Sequence, residues 1–332
     1  MKVAVVILNW NGRNFLEKFL PNVVKYSESA HISIADNAST DDSIAFLKNH
    51  YPQIKIIQNT KNEGFCRGYN LALNEIEADY YVLLNSDVEV TQNWLFPAIN
   101  YLENNQNIAA LQPKIKSYYQ KEQFEYAGAA GGFLDRDGYP FCRGRLFDTL
   151  ENDHNQFDEI AEIGWASGAC FFVRASVFNQ LGGLDEDFFA HMEEIDLCWR
   201  IWNAGYRIVY YPHCEIFHIG GGTLPKKNSH KTFLNFRNSL YLFHKNYPGK
   251  DLPIKFLKRL LMDGLAGVKF LLQGYPLDTL AIVKAHFAYY IAIPLLHKKR
   301  SASNHNSHKM LKKYSIVWGY FVLRKKIFAD YK

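Results

Sequence analysis

Cysteine is scarce in this chain of 332 residues: Cys66, Cys142, Cys170, Cys198 and Cys214 are odd in number, widely spaced and include no C-x-x-C pair. That spacing excludes a zinc site of paired cysteines and a disulfide framework, and predicts buried, reduced thiols in a cytosolic protein. No G-x-G-x-x-G follows the first apolar run. Asn9-Trp10-Asn11-Gly12 stands there instead, which excludes a nicotinamide-dependent dehydrogenase. The sequence has no internal repeat and no low-complexity tract. Its formal net charge of +5 is too small to signal a nucleic-acid partner. The N-terminal apolar run, residues 3–8, is shorter than a signal peptide's apolar region and predicts a first strand. A stretch of span length, residues 277–296, contains Asp278, Lys284 and His286. A central charge costs about 3 kcal/mol on insertion, which argues against a transmembrane helix.

What is present is an ordinary globular balance, 48% apolar and 21% charged, in a chain long enough for one large domain and an appendage. The first hundred residues alternate strand and helix signals. Apolar runs at 3–8, 32–35, 54–57 and 80–84 predict strands, and Phe15, Leu16, Phe19, Leu20, Val23 and Val24 recur at helical spacing. A further helix is expected over 68–76. Strands separated by helices predict an α/β fold with a mostly parallel sheet covered on both faces. Later strands are expected at 108–111, 170–173 and 207–211, the last closed by Pro212, and helices at 176–181 and 193–203. Residues 128–145 are Gly-rich and read as a mobile segment.

In a parallel sheet the loops at the carboxyl ends of the strands converge on one crevice, where ligands bind. Four polar clusters fall at such ends: Asn9-Trp10-Asn11-Gly12, Asp36-Asn37, Asn62-Glu63-Gly64-Phe65-Cys66-Arg67-Gly68-Tyr69-Asn70, and Asn85-Ser86-Asp87. Singly, each is explained as loop and helix-cap residues. Together they suit a nucleotide diphosphate. Mg²⁺ or Mn²⁺ needs one or two carboxylates besides phosphate oxygens, which Asp87, helped by Glu89, supplies, and it neutralises charge on a departing diphosphate. Arg67 and the N–H groups opening the next helix are placed to meet phosphate directly.

The segments VVILNWNG, DNASTDDS, NEGFCRGYN and LLNSDVE resemble, in order and spacing, the amino-terminal half of family 2 glycosyltransferases, and within it bacterial rhamnosyltransferase-type enzymes of polysaccharide assembly. The likeness continues through Gly182-Gly183-Leu184-Asp185-Glu186-Asp187-Phe188-Phe189 and Glu193-Glu194-Ile195-Asp196-Leu197-Cys198-Trp199-Arg200 to His218 and Gly220-Gly221-Gly222-Thr223. It implies a GT-A-type nucleotide-diphospho-sugar transferase fold and an inverting transfer. It also implies that Asp36 contacts a pyrimidine base, that Asp87 and His218 bind the divalent metal, and that residues 220–223 close over the diphosphate. Asn9, Asn11, Asn37, Asn62, Gly64, Arg67, Asn70, Asn85 and Ser86 then line the donor site. The donor implied is a UDP- or dTDP-sugar, and the acceptor a glycan or a lipid-linked acceptor. One of Glu193 and Glu194 becomes the general base, and alignment favours Glu194. Two positions depart from the family pattern: Asn85 replaces the first Asp of the DxD motif, and Glu194 the more usual Asp.

Other readings of these residues stay open. Glu193 and Glu194 at a helix start also suit the helix dipole, and His218 after Ile216-Phe217 also suits a structural histidine. Trp165 serves equally as a sugar platform or as core. Asp196 and Arg200, spaced i, i+4, read as a surface ion pair or a helix brace. A non-catalytic sugar-nucleotide or glycan-binding protein is the rival function. The domain expectation is 1–240 for the transferase, split into 1–112 on the nucleotide-sugar side and 113–240 on the acceptor side. Residues 241–332 form a helical region. Its apolar stretches at 254–272, 277–296 and 316–328 mix Lys, Arg and His with Leu, Phe and Tyr. That mixture suits either a cap on the domain or amphipathic helices making peripheral membrane contact, at the inner face of the cell membrane.

Overall fold

Along the first strand Val3, Val5 and Ile7 face one side and Ala4 and Val6 the other, and all five are buried. A strand covered on both faces reads as a continuous apolar run, which is why β1 (Val3–Asn9) carries one. The protein is seen here as a computed structural model that describes residues 1–220, 228–247, 249, 251–300 and 310–331. After β1 come α1 (Arg13–Tyr26), β2 (His31–Asp36), α2 (Ser43–His50), β3 (Lys55–Gln58), α3 (Gly64–Leu73), β4 (Tyr80–Asn85), β5 (Val88–Val90), α4 (Phe96–Asn104) and β6 (Ile108–Ser117). Short strands follow: β7 (Gly132–Leu134), β8 (Pro140–Cys142), β9 (Arg145–Leu146), β10 (Thr149–Leu150) and β11 (Ala161–Glu162). The chain continues with β12 (Cys170–Arg174), α5 (Ala175–Gln180), α6 (Glu193–Asn203) and β13 (Arg207–His218), and then α7 (Ser229–Asn246), α8 (Leu252–Leu272), α9 (Pro276–Lys299) and α10 (Ile316–Phe321).

The large sheet runs β11-β13-β6-β12-β4-β1-β2-β3, with β5 paired to β13. β1, β2, β3, β4, β6 and β13 point one way, and β5, β11 and β12 run against them. The expected mostly parallel α/β sheet is therefore present. Its consequence is geometric: Asn9, Asp36, Gln58, Asn85, Ser117 and His218 all end at one edge. Separate apolar cores fill the two faces. All five cysteines are buried free thiols, as their spacing predicted.

The structure departs from the sequence reading in several places. β13 does not stop at Pro212. It continues to His218 through a register shift against β6 between Tyr211 and Glu215, and that irregularity absorbs a residue lacking an N–H. Residues 128–145 are not loose: they supply β7, β8 and the start of β9 in a second, four-stranded sheet, and Ala129, Ala130, Leu134 and Cys142 are buried. Their glycines serve close packing. A methyl group on Gly132 would overlap the Trp165 indole, whose Nε1 donates to the Phe133 carbonyl at 3.0 Å. Trp165 is thus core rather than a sugar platform. Gly132→Ala is expected to cost about 1–3 kcal/mol through overpacking, read as a lower midpoint in urea unfolding at unchanged slope. The expected helix at 316–328 ends at Phe321, because Arg324 turns left-handed (φ 60°) and the chain folds back to place Tyr331 against Gly319.

Candidate active site

At the donor edge the polar clusters hold one another. Asp36, 1% exposed, accepts from Asn9 Nδ2 (3.0 Å), Ser39 N–H (3.0 Å) and Ser39 Oγ (2.6 Å). Three of a carboxylate's roughly four acceptor positions are thereby filled. Asn11, at φ 50°, accepts from the Thr40 N–H at 2.7 Å. Asn37 spans the next gap: its Nδ2 donates to Asn62 Oδ1 (3.1 Å) and the Gly64 carbonyl (2.8 Å), and its Oδ1 accepts from Asn59 Nδ2 (2.9 Å). Asn9, Asp36, Asn37 and Asn62 therefore form a cross-linked rim over the ends of β1, β2 and β3. Gly12 lies so close to Asn9 Oδ1 that a side chain there would displace it, and that side chain would also touch Ser86 Oγ at 3.5 Å.

The opening of α3 is a correction. The N–H groups of Phe65 and Cys66, expected to be open to phosphate, donate to the Phe189 carbonyl at 2.7 and 3.2 Å. Gly64, at φ +75°, packs on the Phe189 ring. Arg67 is half exposed and paired with Glu63 (3.3 Å) and Glu186 (3.6 Å). Asn70 braces the following loop, donating to the Leu184 carbonyl (2.8 Å) and accepting from its N–H (3.0 Å). Arg67 and Asn70 thus fasten the loop bearing Asp185 and Asp187.

Beyond Asn85-Ser86 lies Asp87, and β13 delivers His218 to it. The His218 Nε2 is 3.1 Å from Asp87 Oδ1, and its Nδ1 is 3.2 Å from Glu125 Oε2, with all three side chains buried. Burial alone would lower the His218 pKa. Glu125 and Asp87 outweigh it and push the group up to about 10. The sequence reading missed Glu125, which follows Phe124 in no recognisable motif. Gly220 (φ +72°) lies so close to Glu125 Oε1 that a methyl group there would strike it. Residues 221–223 lie outside the described residues.

Asp87 and His218 fit a divalent cation once His218 gives up the proton that its two carboxylates hold on it, because a ligating imidazole must be neutral. Ligands about 2.1 Å from an octahedral ion and at right angles to one another stand roughly 3.0 Å apart, close to the Asp87–His218 separation. Among the described residues no cluster of three or more His, Cys, Asp or Glu forms a metal cage. An Mg²⁺ or Mn²⁺ here would complete its shell with phosphate oxygens and water.

Helix α6 opens on the acidic pair, Glu193 and Glu194. The turn before it is strained: Phe189, His191 and Met192 have φ of 63°, 70° and 72°. Such residues cost about 1–3 kcal/mol each and persist only when the surroundings hold them. Asn238 of α7 does much of the holding. Its Nδ2 lies 2.9, 2.8 and 2.7 Å from the carbonyls of Phe188, Ala190 and His191, and Arg237 reaches the carbonyls of Asp187 (3.1 Å) and Phe188 (3.0 Å). No motif marks Asn238 in the sequence. Asn238→Ala leaves buried carbonyls unpaired, at about 1–3 kcal/mol. Turnover is expected to fall while nucleotide affinity holds. A lower melting temperature with unchanged kcat would remove the positioning role.

The two carboxylates differ in burial. Glu193 is 4% exposed, and among the charged groups it weighs most on the buried Cys66 thiol of α3. Glu194 is only partly covered and passes close to Gly168, where a side chain would sit 3.9 Å from its Cβ. Burial raises the Glu194 pKa to about 7, and burial together with Glu194 holds Glu193 well above the usual carboxylate range. Each keeps one buried oxygen, Oε2, without a hydrogen-bond partner, as does Nε2 of His191 just before them. Asp196 is not at the surface. It is fully buried, contacts Lys245 (2.8 Å), Arg200 (2.8 Å) and Asn246 (2.7 Å), and its pKa falls because Lys245 and Arg200 overcome burial. It braces α6 against α7.

The site thus offers a buried Asp87–His218 pair at the sheet edge and, at the start of α6, a carboxylate whose pKa burial raises. The fold is GT-A. The sequence profile of glycosyl transferase family 2 matches residues 4–182, and the chain belongs to that family. It is 26% identical over 232 residues, 65% of this chain and 75% of the relative, to N-acetylglucosaminyl-diphospho-decaprenol L-rhamnosyltransferase of Mycobacterium tuberculosis. To the rhamnosyltransferase WbbL of Escherichia coli it is 24% identical over 229 residues, covering 65% of this chain and 83% of WbbL. In structure it resembles the mannosyltransferase PcManGT of Pyrobaculum calidifontis, solved with GDP-Man and Mn²⁺, at a TM-score of 0.53, 14% identity and 87% coverage of each chain.

Proposed function

We propose that this protein is an inverting, divalent-metal-dependent glycosyltransferase that moves a sugar, rhamnose by the likeness of its relatives, from a nucleoside-diphosphate donor to a lipid-linked acceptor hydroxyl at the cytoplasmic membrane face. The observation that carries the reading is buried Asp87 held 3.1 Å from His218, with the carboxylate of Glu194 supplied by a separate helix. Asp87 and His218 would hold the cation, which supplies charge neutralisation for the departing diphosphate. The rim of Asn9, Asp36, Asn37 and Asn62 orients the nucleotide. Glu194 accepts the proton of the acceptor hydroxyl as its oxygen bonds to the anomeric carbon on the face opposite the breaking C–O bond. The electron pair of that bond leaves with the diphosphate.

The M. tuberculosis relative acts, by its name, on a decaprenol-linked diphosphate, which supports a lipid-linked acceptor. A non-catalytic sugar-nucleotide binder needs no base and no metal carboxylate, and the presence of Asp87, Glu193 and Glu194 in the chain supports the enzyme. Thermal-shift screening against UDP-, dTDP- and GDP-sugars with Mg²⁺ and Mn²⁺ should give one stabilising donor, because a bound ligand raises stability with its occupancy. The same pair should release nucleoside diphosphate slowly. Stabilisation without release under any metal would favour the binder.

A further inference from the structure

Helix α8 is built inside out. Its inward stripe is polar: Arg259, 2% exposed, donates to the Asp137 carbonyl (3.1 Å) and Ser239 Oγ (2.5 Å), with its guanidinium 4.2 Å from the centre of the Tyr139 ring. One turn on, Asp263, 3% exposed, meets His286 Nε2 of α9 at 3.1 Å, and the Gly267 carbonyl accepts from Thr279 Oγ1 at 2.8 Å. Its outward stripe is Ile254, Leu257, Leu261, Leu265, Val268 and Leu272, three or four residues apart and each more than half exposed. On α9, Leu277, Phe287 and Ile291 are likewise more than half exposed. A helix bordering water shows the reverse distribution. Charge inward and leucine outward is the arrangement for a helix whose outer medium is hydrocarbon.

We infer that the outer faces of α8 and α9 seat this protein in the surface of an anionic bilayer, with both helices lying in its plane. Charge identifies the occupant. Residues 241–332 carry 17 Lys and Arg against four Asp and no Glu, whereas residues 1–240 carry 21 basic and 29 acidic residues. The pole that exposes the apolar stripes is thus the strongly positive one, and Lys258, Lys269, Lys284 and Lys298 are exposed on these two helices. A basic rim around an apolar face matches anionic headgroups over acyl chains. A second copy on the same face would set two such rims against each other.

Contacts along α9 decide between lying and crossing. At 24 residues it is long and apolar enough to span. Its inner side, however, is fastened to the catalytic unit along its length. Asp278 meets Thr232 (2.5 Å), Tyr289 meets His244 (2.8 Å), and Lys299 meets Asp185 (2.6 Å) and Asp187 (2.7 Å). A crossing α9 would have to take α7 with it, and α7 carries Asn238 and Lys245. The inference deepens the proposed function, and rests on it only in giving the contact a use: an acceptor held in the same bilayer.

The test is flotation of the full chain with vesicles of phosphatidylcholine, with and without phosphatidylglycerol, at low and high salt. The protein should float with phosphatidylglycerol vesicles at low salt, far less with phosphatidylcholine alone, and less as salt rises. The triple variant Leu257→Glu, Leu261→Glu, Leu265→Glu should lose vesicle affinity by about tenfold or more, with nucleotide-sugar binding by calorimetry unchanged. Three results would overturn the inference: no flotation of the wild type at low salt, unchanged flotation of the triple variant, or wild type that resists extraction by alkaline carbonate as a spanning protein does. A wild type that is dimeric, fails to float and becomes monomeric in the triple variant would assign the face to a second copy. Failure to float with intact nucleotide binding removes this face alone, whereas failure to bind any nucleotide sugar removes the transferase reading.

Discussion

Glu194→Gln is expected to bind the nucleotide sugar as the wild type does and to transfer it about 10²–10⁴-fold more slowly, the usual worth of general-base assistance. The substitution keeps shape and removes only the ability to take a proton. Because burial raises the Glu194 pKa to about 7, the wild-type rate should climb with pH through that region, as the carboxyl loses its proton and becomes a base. The residual rate of Glu194→Gln should lack that rise. Glu193→Gln is the necessary companion. Glu193 is the more deeply buried of the two, 4% exposed, so its loss should leave transfer largely intact. If instead Glu193→Gln binds donor but is dead in transfer while Glu194→Gln works, the base is Glu193. If both work, the pair is only a helix terminus, and the mechanism has no base.

Asp87→Ala should remain folded, because His218 keeps its second carboxylate partner, Glu125, at 3.2 Å. Turnover with Mn²⁺ should fall roughly 10³-fold, the equivalent of several kcal/mol of lost charge stabilisation on the leaving group. Calorimetric titration of Mn²⁺ in the presence of nucleoside diphosphate should show the affinity loss directly. His218→Ala should weaken metal binding less, since a carboxylate and phosphate oxygens remain. Wild-type metal-dependent turnover in Asp87→Ala would show the site to be misassigned.

The nucleotide half was readable because its signals are local: each of β1, β2 and β4 is an apolar run ending in Asn or Asp, so the edge could be laid out residue by residue. The acidic pair and His218 stood out only through the resemblance to family 2 glycosyltransferases, because on their own they read as a helix terminus and a structural histidine. Glu125 and Asn238 did not stand out. Each meets its partners across 93 residues (Glu125 to His218) or about 50 (Asn238 to the turn), and neither sits in a periodic or cap pattern. The small sheet escaped because strands of two or three residues have no period to detect. For α3 the helix itself was legible, but the carbonyl that occupies its first N–H groups lies more than a hundred residues away, at Phe189. The mixed character of α8 was plain in the sequence. Which stripe faces inward was not, because that depends on Asp137, Ser239 and His286.

The five buried sulfurs give the chain its own set of clocks. Burial pushes every thiol pKa upward, so an alkylating reagent meets a hidden, protonated sulfur until that part of the chain opens. Cys66 reports from α3, Cys142 from β8, Cys170 from β12, Cys198 from α6 and Cys214 from β13. The rates at which these five sites label therefore map local opening across both faces of the large sheet, without any introduced probe. A donor that closes the crevice should slow the clocks at Cys66 and Cys198, which flank the acidic pair, before it slows the one at Cys214.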